Sequence, residues 1–337
     1  MNLQQNISLL NFNTFGIDVN ADYLIEYFTV EDLTQVLQSE TVKNNSVLQI
    51  GMGSNLLFMN DFKGVILHSQ INTLQKIDVD EQTVIVEAGS GVVWDDFVAF
   101  AVRNSWGGVE NLSLIPGEVG AAAVQNIGAY GVEVQDVIDK VYAVEINSGK
   151  TRDFSNAECK YDYRKSVFKN ELKGQFIITS VTFRLQKNPV YNLNYQHIEN
   201  AVKTRGEINL ENIRQTIIAI REEKLPDPKL TGNAGSFFMN PVISTSHFYE
   251  LQSQFPTIPH YFVSETEEKV PAAWLIDQCG WKGKQIGNAA VHAQQALVLV
   301  NKGGATGAEI ANLAHQIQLS VNEKFGIALI PEVNFIC

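Results

Sequence analysis

Hydrophobic positions along this chain change their period several times, and each change marks a predicted element. VEDLTQVLQ (30–38) places apolar residues at helical spacing, whereas SVLQI (46–50) and GVILH (64–68) are short apolar runs of strand length. From Leu74 the pattern shifts. LQKIDVDEQTVIVEAG reads as two strands around an acidic turn, and VVWDDFVAFAVRN (92–104) returns to helical spacing. VYAVEINSGKTRDFS (141–155) reads as a hairpin turning at Ser148 and Gly149, and GQFIITSVTFRLQ (174–186) as a β-branched strand. Ile213, Ile217, Ile218 and Ile220 give ENIRQTIIAIREEK (211–224) an apolar helical pattern, which the two prolines of LPDPK stop.

The last third predicts an apolar helix around PAAWLIDQCG and a strand at ALVLVN. A helix from Gly307 to Phe325 follows, with Ile310, Leu313, Ile317 and Val321 on one stripe, and GIALIPEVNFIC closes the pattern as a strand-like run. Boundaries fall near residues 73 and 222, and no internal repeat is visible. The pattern therefore describes three compact α/β parts.

Composition narrows the classes. With 45% hydrophobic and 18% charged residues over 337 positions, the chain can bury a substantial core, and no apolar run reaches the ~20 residues of a membrane helix. The start, MNLQQNISLLNFNTFG, lacks the basic, apolar and small-residue regions of a secretory leader, so a cytoplasmic protein is expected. A formal charge of −12 argues against a general nucleic-acid binder. Cys159, Cys279 and Cys337 stand far apart with no CxxC pair, so neither a metal site nor a disulfide framework is signalled.

Candidate chemistry gathers in a few stretches. VLQIGMGSNLLF (47–58) sets Gly51, Gly53, Ser54 and Asn55 after a strand, where backbone N–H groups can hold diphosphate oxygens. Leu56 stands where the dinucleotide fingerprint needs its third glycine, and taken alone the stretch reads as a plain turn. NLSLIPGEVGAAAVQNIGAYG (111–131) adds Gly117, Gly120, Gly128 and Gly131; close helix packing explains it equally well by itself. Two such stretches together favour an extended cofactor with a diphosphate centre.

Arg164, in YDYRKSVFK, is suited to clamp a carboxylate, with a surface ion pair as the commoner alternative. Lys224 complements a helix end or binds an anion. Ser236, in GNAGSFFMNP, is a turn hydroxyl or a proton donor; Glu332, in PEVNFIC, lies on an exposed edge or needs a buried partner. His292 reads as structural.

The order LQIGMGSNLLF, IPGEVGAAAVQNIGAYG, YRKSVFK, KLPDPK, GNAGSFFMNP, WLIDQCG, AVHAQQALVLVN and PEVNFI closely resembles the UDP-N-acetylenolpyruvoylglucosamine reductases, from NTFG at residue 13 to the C-terminus. That resemblance implies an FAD-binding fold of the vanillyl-alcohol-oxidase-like type, made of two α/β domains, with a third α/β domain for substrate. The corresponding division is 1–72, joined by a returning strand 327–337, then 73–222 and 223–326. It also implies an NADPH-using oxidoreductase that passes hydride through FAD to an enolpyruvyl UDP-sugar in peptidoglycan precursor synthesis, acting as a monomer without membrane or nucleic acid. A flavin oxidase of another substrate and a non-catalytic flavin binder are the competing readings.

By resemblance, Ser236 protonates the carbon beside the substrate carboxylate, Arg164 holds that carboxylate, and Glu332 fills the third catalytic position. Tyr195, Lys224, Asn240 and Gln295 correspond to contacts with the diphosphate and sugar, Tyr195 marking the variant whose tyrosine loop closes over UDP. Gly51, Gly53, Ser54, Asn55, Gly117, Gly120 and Gly128 would lie along FAD. Met239 and Asn334 depart from the lysine and arginine expected at their positions.

Overall fold

A computed structural model describes residues 1–195 and 198–337. The chain divides into two compact units: residues 1–7, 21–52 and 63–221 form one, and residues 8–20, 53–62 and 222–337 the other. No helix among the described residues is long and apolar enough to cross a membrane.

The first unit contains two main sheets and a two-stranded pair, Gly128–Ala129 with Val132–Glu133. One has four strands in the order Asn2–Ser8, Asn20–Tyr27, Phe62–Ser69 and Val47–Ile50. Val47–Ile50 runs parallel to the Phe62–Ser69 strand, and helix Val30–Gln38 lies in the connection that precedes it, between Asn20–Tyr27 and Val47–Ile50. Thr29 starts that helix by accepting a hydrogen bond from the Asp32 N–H at 3.0 Å, and Leu33, Val36 and Leu37 form its buried stripe. The other sheet is antiparallel and five-stranded, in the order Thr151–Ser155, Ile138–Glu145, Phe176–Gln186, Thr83–Gly89 and Leu74–Val79. Its hairpin turns at the expected place, with Gly149 at φ +68°. Val144 and Ile177 from this sheet join Leu33, Val36 and Val65 in one apolar cluster, so a shared core ties the two sheets together.

Helix Trp94–Arg103 covers the five-stranded sheet with a second core. Trp94, Phe97 and Phe183 stack there, with ring centroids 4.4 Å apart for the Phe97–Phe183 pair, and the Trp94 indole N–H donates to the Leu112 carbonyl. The isoleucine-rich helix spans Leu210–Lys224. On it, Arg214 grips Asp95 through two bonds of 2.6 and 2.8 Å, and the Leu114 N–H also donates to that carboxylate. Burial works against the Asp95 charge, but Arg214 and Leu114 outweigh it and hold the carboxyl below its usual range.

His68 sits between two carboxylates of the same unit. Its Nε2 lies 3.0 Å from Glu118 Oε1, and its Nδ1 lies 3.6 Å from Glu26 Oε1. Burial lowers the His68 pKa, yet Glu118 and Glu26 prevail and raise it; burial raises that of Glu118 despite His68.

The second unit assembles three distant stretches. Its main sheet runs Gly232–Ser236, Val298–Asn301, Ala289–Val291 and Gln285–Ile286, and a smaller one runs Val242–Ser244, Glu267–Lys269 and Tyr261–Ser264. Helix Gly307–Phe325 has its stripe Ile310, Leu313, Ile317 and Val321 buried as the spacing predicts, and Thr306 with Glu309 closes its start reciprocally. A Cβ on Gly307 would stand 2.0 Å from the Phe58 carbonyl oxygen, so only glycine lets this helix begin there.

GIALIPEVNFIC is less regular than its pattern suggests. Only Asn334–Ile336 is a strand, parallel to Leu56–Phe58, and Pro331 lacks the N–H that a continued ladder needs. The preceding residues instead follow the serine loop through an isolated bridge, Phe238 to Pro331.

Two stability effects follow. Asp95→Ala strands a partly buried guanidinium and the Leu114 N–H, and should cost roughly 3 kcal/mol in urea unfolding, whereas an effect under about 1 kcal/mol would mean the pair contributes little. A raised folded pKa contributes stability present below the unfolded value and lost as pH climbs through the folded one, so the His68 contribution should fade above about pH 6.5. Unfolding measured across that window should fall more steeply with pH for the native chain than for His68→Gln; parallel curves would contradict the assignment.

Candidate active site

Ser236 stands where the sheet is interrupted. Strand Gly232–Ser236 pairs with Val298–Asn301, and the register slips between Asn233 and Ser236. The Gly235 N–H donates to Asn233 Oδ1 at 2.9 Å, and Gly235 itself adopts φ +67° with nothing within 4 Å of where a Cβ would lie. Asn233 Nδ2 donates to the Pro226 and Thr231 carbonyls, tying the loop to the LPDP stop. After the bulge, Phe237 and Phe238 are fully buried while Ser236 is exposed. Bulge and aromatic anchors together aim a hydroxyl outward on a rigid backbone.

Glu332 is brought to this loop by the main chain. Its N–H donates to the Phe237 carbonyl at 2.8 Å, its carbonyl accepts from Asn55 Nδ2 at 3.2 Å, and the Met239 N–H donates to Ile330. Ser236, Glu332 and the GSN turn of residues 53–55 therefore share one neighbourhood. Asn334, where the sequence pattern expects arginine, bonds to the Asn55 carbonyl through both its N–H and its side chain. Asn240 Oδ1 accepts from the Ala272 N–H and so caps helix Ala272–Gln278, and the Gln295 carbonyl accepts from Val298 in the turn before its strand. Lys224 is exposed at the last position of its helix.

In the first unit, Arg164 occupies the left-handed region at φ +56°. Its guanidinium donates to the Asn126 and Gly128 carbonyls and lies over the Tyr163 ring, 5.3 Å from the centroid. A Cβ on Gly128 would come within 2.9 Å of Arg164 Nη1, so that glycine makes room for the guanidinium. Gly51 and Gly120 are similarly pressed, against Glu118 and Ser90, while the Gly117 carbonyl accepts from the Trp94 N–H. Tyr195 meets Tyr130 edge to face with centroids 5.8 Å apart.

Pattern reading missed Asn233, Thr14, Tyr130 and Arg221. The Asn-x-Gly spacing at 233–235 was the signal for the first, being a side-chain-closed turn. Thr14, in NTFG, has a buried hydroxyl without a partner among the described residues, while its N–H donates to Gly53. A polar ligand such as FAD fits there: an orphaned hydroxyl beside a close-packed glycine turn offers a hydrogen bond that the protein leaves unmade. No cluster of three potential metal ligands occurs among the described residues.

Comparison with known proteins gives the family and the fold. The family model for an FAD binding domain matches residues 21–155, and that for the C-terminal domain of UDP-N-acetylenolpyruvoylglucosamine reductase matches residues 227–336. UDP-N-acetylenolpyruvoylglucosamine reductase of Bacteroides fragilis is 51% identical, with 99% of this chain and 100% of the relative covered. The proteins of the same name from Porphyromonas gingivalis and Flavobacterium johnsoniae are 46% and 47% identical, each over 100% of both chains. A crystal structure of UDP-N-acetylenolpyruvylglucosamine reductase from Thermus caldophilus superposes with a TM-score of 0.70 at 22% identity, covering 100% of both chains, which shows the same fold. The fold is thus the vanillyl-alcohol-oxidase-like FAD-binding type with an added α/β domain. On the strength of these full-length relatives, the chain belongs to the UDP-N-acetylenolpyruvoylglucosamine reductase family and is an FAD-dependent oxidoreductase.

Proposed function

We propose that this chain reduces the enolpyruvyl double bond of UDP-N-acetylenolpyruvoylglucosamine with NADPH, a step of peptidoglycan precursor synthesis, and that Ser236 supplies the proton. The carrying observation is the exposed Ser236 hydroxyl, fixed between a glycine bulge and two buried phenylalanines, with the Glu332 main chain bonded to the next residue. The substrate is a terminal alkene bearing an ether oxygen and a carboxylate on its inner carbon. Hydride added to the terminal carbon leaves an electron pair on the inner carbon, delocalised into the carboxylate. A proton on the inner carbon completes the saturated lactyl ether, and NADPH leaves as NADP⁺.

FAD, when bound, carries the hydride from NADPH to the substrate. The protein's own groups have three tasks. Arg164 is preorganised, since two backbone carbonyls already hold its guanidinium, and it offsets the charge that grows on the substrate carboxylate. Glu332 is assigned the third catalytic position, beside the enolate. Ser236 gives up its proton to the inner carbon, a transfer that a hydroxyl manages only towards a strongly basic carbanion-like centre. Lys224, Tyr195, Asn240 and Gln295 are assigned to the diphosphate and sugar, and the glycine stretches at 51–55 and 117–128 to FAD. The division at residues 72 and 222 remains part of this proposal.

Stopped-flow absorbance of the two half-reactions tests the serine. Ser236→Ala should leave flavin bleaching by NADPH within about twofold of the native rate and slow its return on adding the enolpyruvyl sugar by roughly 10³-fold. Equal loss in both half-reactions would remove Ser236 from proton transfer.

A further inference from the structure

Tyr195 does not stand alone in the first unit. The loop carrying it is fastened at several points: Asn111 Nδ2 donates to the Tyr130 carbonyl at 3.1 Å and to the Asn192 carbonyl at 2.8 Å, and Asn192 Nδ2 donates to Gly131 at 2.9 Å. These bonds place the Tyr130 ring at right angles to that of Tyr195, with an interplanar angle of 87°. Behind Tyr130 stands Arg221; burial raises the pKa of the Tyr130 phenol, and the guanidinium close beside it works the other way. Its Nε donates to the Leu114 carbonyl at 3.2 Å, and the Leu114 N–H donates in turn to Asp95, which Arg214 clamps. Tyr130 is held in the left-handed region at φ +51°, so its ring direction is set by the backbone as well as by the phenol.

A chain of contacts thus runs from the Asp95–Arg214 pair through Leu114, Arg221 and Tyr130 to the Tyr195 ring. Apolar packing alone would not require it. Leu193, Ile198, Val202, Ile213 and Ile217 already give the tyrosines a greasy floor, which a phenylalanine at 130 would serve equally well. A guanidinium anchored on one side and a phenol on the other instead fix an aromatic edge at a defined place.

We propose that Tyr130, anchored by Arg221, is a positioning residue that sets where the Tyr195 ring stands and thereby the affinity for the uridine diphosphate end of the substrate. The proposal rests on the assignment of Tyr195 to that end. Tyr130 itself touches no reacting atom; it acts through Tyr195.

The test is calorimetric titration of the FAD-loaded enzyme with UDP alone, with flavin content measured in parallel. Tyr130→Ala should raise the Kd for UDP roughly five- to tenfold at unchanged flavin content, and adding it to Tyr195→Ala should cause no further loss. Tyr130→Phe keeps the ring and the volume but not the anchor, and should raise Kd about threefold. Should Tyr130→Ala lose its flavin, Tyr130→Phe decides, and native affinity in that variant overturns the proposal. Multiplying losses in the double variant overturn it as well. Native UDP affinity in Tyr195→Ala would instead refute the assignment of Tyr195, and this proposal with it, whereas weakened Tyr195→Ala beside native Tyr130→Ala refutes the proposal alone.

Discussion

Burial of the Phe237 ring is the constraint around which the serine-bearing unit is arranged. Phe15, Phe238 and Phe335 all pack against it, with centroids 6.3, 5.1 and 6.0 Å away, so three stretches of chain far apart in sequence meet on one side chain. The cost of closing such long loops is offset only by a large apolar gain, which an aromatic cluster supplies. The Phe237 main chain has a separate task, since its carbonyl receives the Glu332 N–H and its N–H reaches the Leu297 carbonyl. One residue therefore fixes both the floor of the loop and its register, and the exposed serine beside it inherits that rigidity.

The other unit solves a different problem. Its less exposed ionisable groups each have a local partner: Arg164 donates to two carbonyls, Arg214 pairs with Asp95, and His68 with Glu118. Partly buried charges of this kind persist only when paired, so the network limits how the glycine-rich segments between residues 117 and 131 can be arranged. Glycines at 120 and 128 leave space for Ser90 and Arg164, which explains their smallness from within the protein.

Much of the fold was legible because its long elements carry strong periods. The stripe of helix Gly307–Phe325 and the hairpin at Gly149 follow from spacing alone. The end of the chain was not: GIALIPEVNFIC alternates like a strand, but its partner is a loop, and Pro331 limits the pairing to a bridge. Among the candidate residues, the motifs identified Ser236, Arg164 and Glu332 as worth attention, while the setting of Glu332 depends on a bond from Asn55, 277 positions away. The Tyr130–Arg221 pair shows the limit of pattern. Each residue is unremarkable in its own segment, and only the folded backbone brings them into one line.

Strand Asn334–Ile336 pairing with Leu56–Phe58 has a consequence for how the protein comes into being. The five-stranded sheet lies between Leu74 and Gln186, so it can form while later residues are still being added. The serine unit has no such freedom. Its early stretches must wait much longer, since Phe15 meets Phe237 and strand Leu56–Phe58 pairs with Asn334–Ile336. The half that carries Ser236 is therefore the one whose apolar surface stays uncovered longest while the chain is being made.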